Sequence, residues 1–567
     1  MSAPTADEVV RAVNGVLLPG FTGTQEPPAW LVDAAGHGLA GVLYFGHNTP
    51  DVATTARLSA RLREVAPDLL IAVDEEGGDV SRLEAATGSG IPGNAALGVV
   101  DDVALTETVG RALGRLLTAT GIDLDLAPDV DVNSDPDNPV IGVRSFGADP
   151  TLVARHGAAF VRGLHAGGAG ACGKHFPGHG ATNVDSHLSL PVVDASLDEL
   201  RARDLPPFAA TVGAAVAPEE RLDALMTAHV VVPALGALPG TLEPAVAELA
   251  RSLGFDGPIV TDALDMGALA AYAGGADAGS RAGTGTGRAE ETDDGPHDVG
   301  EVAVRAIEGG ADLLCLGTTV GRDDETLFRQ AQEALVGAVA SGRVTLDRLR
   351  TSAARTARAL AATRARQASS GVVCSPEAAL AALADLEAVG AAAAAHAVRV
   401  VARPATGGPP TLPLTGVPDV VDLRLRFDHA AGRTAQHVQR ALDEAFAPGS
   451  VLHLRPADED TWSGVLADVT ASDRPLVVLT REPVTGSGER ARLDALLAAR
   501  PELVVVHTGF PGAVEQWFGR PGEGGTVPAA VVVACGTGRA NARAAVGLLA
   551  GHAAPGTLDR PGAEVTP

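Results

Sequence analysis

Lysine is nearly missing from this chain of 567 residues: Lys and Arg together number 43, yet Lys174 is the single lysine. A compact ammonium with three freely oriented donors fits a tight pocket lined by oxygens where a planar guanidinium does not. Lys174 is therefore marked as a residue that arginine could not replace. Cysteine is scarce as well. Cys172, Cys315, Cys374 and Cys535 lie far apart with no C-x-x-C pair, and three of them fall in apolar runs that suit a small buried thiol, so neither disulfides nor a zinc knuckle is expected. Positive charge is outweighed throughout. A formal net charge of -27 repels the phosphates of nucleic acid and the headgroups of anionic membranes, which leaves a small neutral molecule as the expected partner. The opening MSAPTADEVVRAVNGVLLPGF has no basic region followed by an apolar one, and no stretch is read as reaching the roughly 20 apolar residues that span a bilayer. A soluble, cytoplasmic protein is the expectation.

The length favours two domains. Short runs rich in Val, Ile and Leu recur, each followed by an amphipathic Ala/Leu/Arg stretch, as buried parallel strands alternating with helices would read. They are VNGVLLP (13–19), AGVLYF (40–45), LLIAVD (69–74), IDLDLAP (122–128), GACGKH (170–175), ALMTAH (224–229), PIVTD (258–262) and DLLCLG (312–317). Eight such units point to an α/β fold, a (β/α)8 TIM barrel over 1–365 with a Gly-rich, polar insertion at 273–298. An Ala-rich helical linker is expected over 366–395. Beyond it, AVRVVA, DVVDLRL, SVLHL, PLVVLT, ELVVVH and AAVVVAC predict a smaller α/β sandwich domain over 396–567. The last strand runs through CGTGRAN into a helix, but one G-x-G without an acidic residue further on makes a poor dinucleotide site. GTGTG in the insertion is no phosphate loop, since neither a preceding strand nor a following Lys-Ser/Thr accompanies it. No cofactor is expected.

Asp74, Lys174, His175, His229 and Asp262 all end apolar runs, which in a barrel places them at the mouth where chemistry occurs. The segment KHFPGHGATNVDSHLSLP (174–191) adds His179, Asp185 and His187. Three histidines could bind zinc, but Pro177 and Gly178 prevent a helical i, i+4 presentation. No metal is expected. A nucleophilic triad lacks a G-x-S-x-G elbow or a cysteine beside a base. An Asp-x-His step remains, in which a carboxylate orients an imidazole suited to proton transfer near neutrality. That reading requires a second carboxylate.

KHFPGHGATNVDSH resembles the signature of glycoside hydrolase family 3, in its β-N-acetylglucosaminidase branch. VDEEGGDVSRL (73–83), LAPDVDVNSDPDNPVIGVRSFGADP (126–150) and GFDGPIVTDALDM (254–266) extend the resemblance in family order. The resemblance implies Asp262 as nucleophile and His187, assisted by Asp185, as acid/base. It implies Asp74, Arg82, Arg144, Lys174 and His175 as sugar-binding residues. A retaining exo-glycosidase acting on terminal β-linked N-acetylglucosamine is then expected, since such an enzyme needs an attacking carboxylate and a proton donor that reverses toward water. A neutral imidazole does not repel an anion, so inorganic phosphate is an alternative acceptor, and β-glucosides are an alternative substrate. From another class, a sugar-binding barrel that signals without turnover would need no nucleophile. The sequence departs from the family pattern at Ala181 and Asp79, where aspartate and arginine are frequent, which puts the leaving-group side in doubt.

Overall fold

The computed structural model describes residues 4–182, 190–213, 215–273, 298–317, 323–402, 412–424, 436–446, 449–456, 459–484, 486–518 and 528–552. The first eight strands are β1 (Leu17–Leu18), β2 (Gly41–Tyr44), β3 (Leu70–Val73), β4 (Leu124–Asp125), β5 (Gly170–Phe176), β6 (Ala224–Thr227), β7 (Ile259–Thr261) and β8 (Leu314–Cys315). Each lies within the run that predicts it, except that β5 extends one residue past its run to Phe176. β2 through β7 pair in sequence order and β1 pairs with β8, all in parallel. The ring closes through a bridge from Val260 to Leu313 and through the Leu43 N–H donating to the Pro19 carbonyl at 3.0 Å. Strands covered on both faces are largely apolar, which is why they read as near-continuous runs, with the polar residues of β4 and β5 toward their C-terminal ends.

Leu18, Leu43, Leu70, Leu124, Met226, Val260 and Leu313 fill the barrel interior, and Leu360 of the helix Leu346–Ser370 joins them. That helix caps the end at which the strands begin. Arg348, Arg355 and Arg251 reach Asp312 at 3.0, 2.9 and 2.5 Å, and Arg366 reaches Asp223 at 2.6 Å. The stretch expected as a linker is packed structure. Helix Leu346–Ser370 runs through position 365, and helix Pro376–Ala397 lies against helices Val52–Val65 and Val103–Ala119 of the barrel, burying Ala379, Ala382 and Leu386. Contrary to the sequence reading, this second helix is long and apolar enough by composition to cross a membrane. Its apolarity comes from alanines that let neighbouring helices approach.

The remaining strands are β9 (Arg399–Ala402), β10 (Asp419–Asp422), β11 (Leu452–Leu454), β12 (Leu476–Thr480), β13 (Val504–His507) and β14 (Ala530–Val533). They form one sheet in the order β11-β10-β12-β13-β14-β9, with only β9 antiparallel among the described pairs. Apolar clusters cover both faces, one around Trp462, Leu493 and Trp517, the other around Val438, Leu442 and Leu549. Cys172, Cys315 and Cys535 are buried and Cys374 is exposed. Asp185 and His187 lie outside the described residues, as do 274–297 of the Gly-rich insertion.

Candidate active site

The strand ends of β3, β4, β5 and β7 converge on one group of charges. Lys174, near the end of β5 and 2% exposed, places Nζ 2.7 Å from Asp74 Oδ1 and 2.6 Å from Glu76 Oε1. Burial alone would lower its pKa, but the two carboxylates outweigh that and hold the ammonium firmly charged. Glu76 also accepts both fork nitrogens of Arg144, from Nε at 2.9 Å and Nη2 at 2.8 Å. Burial pushes Glu76 up, and the Arg144 and Lys174 charges more than reverse it, leaving the carboxyl well below its usual range.

His175 is oriented from behind. Its Nδ1 lies 2.7 Å from Asp131 Oδ2, while Nε2 faces Arg144 Nη2 at 3.3 Å. With Nδ1 donating to the carboxylate, Nε2 is left as the acceptor toward the guanidinium. A neutral ring agrees with a pKa pushed down to about 4, first by burial and then by Arg144. Asp131 further accepts the backbone N–H groups of His175 and His179, at 3.1 and 2.7 Å. Asp129 and Asp131 are both pushed up to about 7 by burial, Asp129 next by the charge of Asp131. Asp129, Asp131 and His175 bring ligand atoms within 4.8 Å of one another, the one such group among the described residues. His175 Nδ1 is committed to Asp131 and Asp129 Oδ1 to the Asp131 N–H, while Asp129 Oδ2, without a hydrogen-bond partner, faces the Arg144 guanidinium at 3.6 Å; that positive charge suits orientation of His175 better than capture of a cation.

Asp262 directly follows β7 and is half-buried. Its N–H donates to the Thr227 carbonyl at 3.3 Å and its Oδ1 accepts the Ala263 N–H at 2.8 Å. The Ala263 carbonyl in turn receives His229 Nε2 at 2.9 Å, with His229 Nδ1 2.8 Å from the Thr241 hydroxyl. His229 thus braces the backbone beside Asp262. β5, β6 and β7 are parallel neighbours, so Asp262 opens on the same rim as Lys174, and its negative charge favours the protonated forms of His175 and His179.

Of the expected residues, Asp74, Arg144, Lys174 and His175 form one bonded network, with Asp262 beside it. Arg82 lies on the β3 loop, half-buried, its N–H donating to Glu75 Oε2 at 2.9 Å and its carbonyl accepting the Thr49 hydroxyl at 2.6 Å. Sequence reasoning missed Glu76, Asp129 and Asp131. A signal existed for Glu76: a lone irreplaceable ammonium needs anions around it, and Asp74-Glu75-Glu76 is a dense acidic run at a strand end. Glu75 serves differently, tying the loop back through the N–H groups of Arg82 and Leu83.

The model of the glycosyl hydrolase family 3 N terminal domain matches residues 19–359. Beta-hexosaminidase A of Pseudoalteromonas piscicida is 31% identical over 360 residues, a match covering 59% of this chain and 55% of that relative's length. Beta-hexosaminidase of Pseudomonas aeruginosa (strain LESB58) is 39% identical over 234 residues, covering 40% of this chain and 67% of its own. The solved structure of a glycoside hydrolase family 3 beta-N-acetylglucosaminidase from Paenibacillus sp. str. FPU-7 superposes with a TM-score of 0.75 and 29% identity, over 97% of both chains.

Proposed function

Because the chain belongs to glycoside hydrolase family 3, we propose that it is a retaining exo-β-N-acetylglucosaminidase that cleaves terminal β-linked N-acetylglucosamine. The observation that carries this reading is the Lys174 ammonium, buried between Asp74 and Glu76, with a bidentate Arg144 and the half-buried Asp262 at the same mouth. Such a set offers convergent charged donors and acceptors to sugar hydroxyls around an attacking carboxylate. The beta-hexosaminidase relatives at 31% and 39% identity support the substrate class.

In this account Asp262 Oδ attacks the anomeric carbon, and the bond to the leaving oxygen breaks as His187 delivers a proton to it. Asp185 orients and charge-tunes that imidazole. Water then gives its proton to His187 and attacks the glycosyl-Asp262 ester, returning the free sugar with its configuration retained. Asp74, Arg82, Arg144, Lys174 and His175 hold the ring. Cytoplasmic location belongs to the same proposal and is checked by cell fractionation.

The test is turnover of 4-nitrophenyl β-N-acetylglucosaminide and the matching β-glucoside by wild type and Asp262→Ala, with and without phosphate, the sugar product identified by NMR. Free N-acetylglucosamine from the first substrate, absent in the variant, supports the proposal. Sugar 1-phosphate formed in phosphate buffer would make the protein a phosphorylase, preference for the glucoside would change the substrate, and no turnover by wild type would overturn the enzymatic reading for these substrates.

A further inference from the structure

Asp79 departs from the arginine frequent in the family, and the structure shows where its carboxylate goes. The Asp79 side chain is 1% exposed and accepts Arg481 Nη1 at 2.6 Å on one oxygen and the Thr537 N–H at 2.6 Å on the other. Both partners belong to the second sheet's loops: Arg481 follows β12, and Thr537 lies between β14 and the helix Arg539–Ala550. Arg481 is itself held, its N–H donating to Glu489 Oε1 at 2.7 Å.

On the barrel side, Asp79 closes the turn that carries Glu76. Gly77 and Gly78 form its tip with φ of +81° and +59°, and the Glu76 N–H donates to the Val80 carbonyl at 3.1 Å. Two successive glycines leave a turn with few intrinsic restraints. Within the barrel the Gly78 N–H donates to the Ile91 carbonyl at 3.1 Å and the Val80 N–H to the Gly77 carbonyl at 3.2 Å; the second domain adds the remaining restraint. Besides the Asp79 pair, Gly538 sits so close that a Cβ there would lie 2.6 Å from the Gly78 carbonyl oxygen. A second cross-domain pair, Arg539 with Glu84 at 2.5 Å, lies farther along the loop. Only Asp79 is on the same tight turn as the carboxylate that holds both Lys174 and Arg144.

We propose that Asp79 is a positioning residue, through which the second domain fixes Glu76 and thereby sets the Lys174 and Arg144 donors for sugar binding. The inference rests on the proposed function and deepens it: the second domain is part of the sugar pocket's geometry without touching the sugar. A nearly dry ion pair beside a glycine turn transmits position because its partners have little water as an alternative, and loss of one charge loosens the turn.

The test uses the full chain. KM and kcat for 4-nitrophenyl β-N-acetylglucosaminide, the inhibition constant of N-acetylglucosamine and thermal melting are measured for wild type, Asp79→Asn, Arg481→Gln and the double variant. Either single substitution is expected to raise KM and the inhibition constant together by about 3- to 30-fold, with kcat changed by less than about threefold. The double variant should be no worse than the worse single, since both break one contact, and Arg481→Lys should recover much of the loss. Arg539→Gln, at the other cross-domain pair, should lower the melting temperature and leave KM unchanged. The proposal is overturned if Asp79→Asn or Arg481→Gln, whichever folds, keeps wild-type KM and inhibition, if the two effects add, or if Arg539→Gln raises KM equally. Absence of turnover in wild type would instead sink the proposed function, a result distinct from normal turnover with unaltered variants.

Discussion

The two ends of the barrel are built from the same residue types and put them to opposite use. At the closed end Asp312 accepts from Arg251, Arg348, Arg355 and Ser352, and although burial pushes its carboxyl up, these partners bring it below its usual value. Asp223 is lowered in the same way by His165 and Arg366 against its own burial. At the mouth carboxylates outnumber cations. Burial pushes Glu75 up to about 7 and Asp125 well above the ordinary range, and Asp129 is raised by burial and then by the neighbouring Asp131. Carboxylates matched by arginines stay ionised and hold a structure together; carboxyls crowded in a half-dry mouth with too few cations retain protons, and such perturbed groups mark where a polar ligand engages.

Four substitutions would break or sharpen this contrast, beginning with the greatest effect. Asp262→Ala should cut kcat/KM by on the order of 10^4-fold or more, as loss of a nucleophile does, with the melting temperature little changed; steady-state kinetics and calorimetry read both. Asp312→Ala should do the reverse. Removing the acid strands arginines that are about a quarter exposed (26–27%), which argues for about 3 kcal/mol, the low end for a broken buried pair. Denaturant unfolding should show the loss while the folded fraction keeps its KM.

Lys174→Arg should lower kcat/KM by about 10- to 100-fold, because a planar fork cannot fit between Asp74 and Glu76 as an ammonium does. A variant with wild-type kinetics would remove the meaning given to the chain's only lysine. The smallest effect concerns pH. Asp129 keeps a proton in the folded state that the unfolded chain has lost, so its contribution is present at low pH and disappears as pH rises through about 7. His175 and His179, lowered to about 4 and about 3, contribute with the opposite sign, gaining as pH rises and largely complete once the unfolded histidines are neutral. Between pH 6.5 and 8 wild type should therefore lose roughly 1 kcal/mol that Asp129→Asn does not lose; parallel stability curves for the two proteins would contradict the assignment.

Much of the barrel was legible because parallel strands buried on both faces leave unbroken apolar runs, as in LLIAVD and PIVTD. The polar residues ending those runs located the mouth for the same reason. Other features were hidden. Helix Pro376–Ala397 carries alanine on every side, so neither its packing against the barrel nor its membrane-like composition stood out. Asp129 and Asp131 were not singled out, since their burial depends on the distant strand β5 that packs beside them. Asp79 read as a substrate-side change because only the fold brings Arg481, four hundred residues on, to its carboxylate (|i−j| = 402).

The central claim is that Asp262 becomes covalently linked to the sugar. Intact-mass spectrometry of wild type incubated with an activated fluoro-sugar analogue of N-acetylglucosamine, followed by peptide mapping, tests it directly. The account predicts one glycosyl adduct, on the peptide containing Asp262, which disappears in Asp262→Ala. An adduct on another residue, or turnover that persists in that variant, would contradict it.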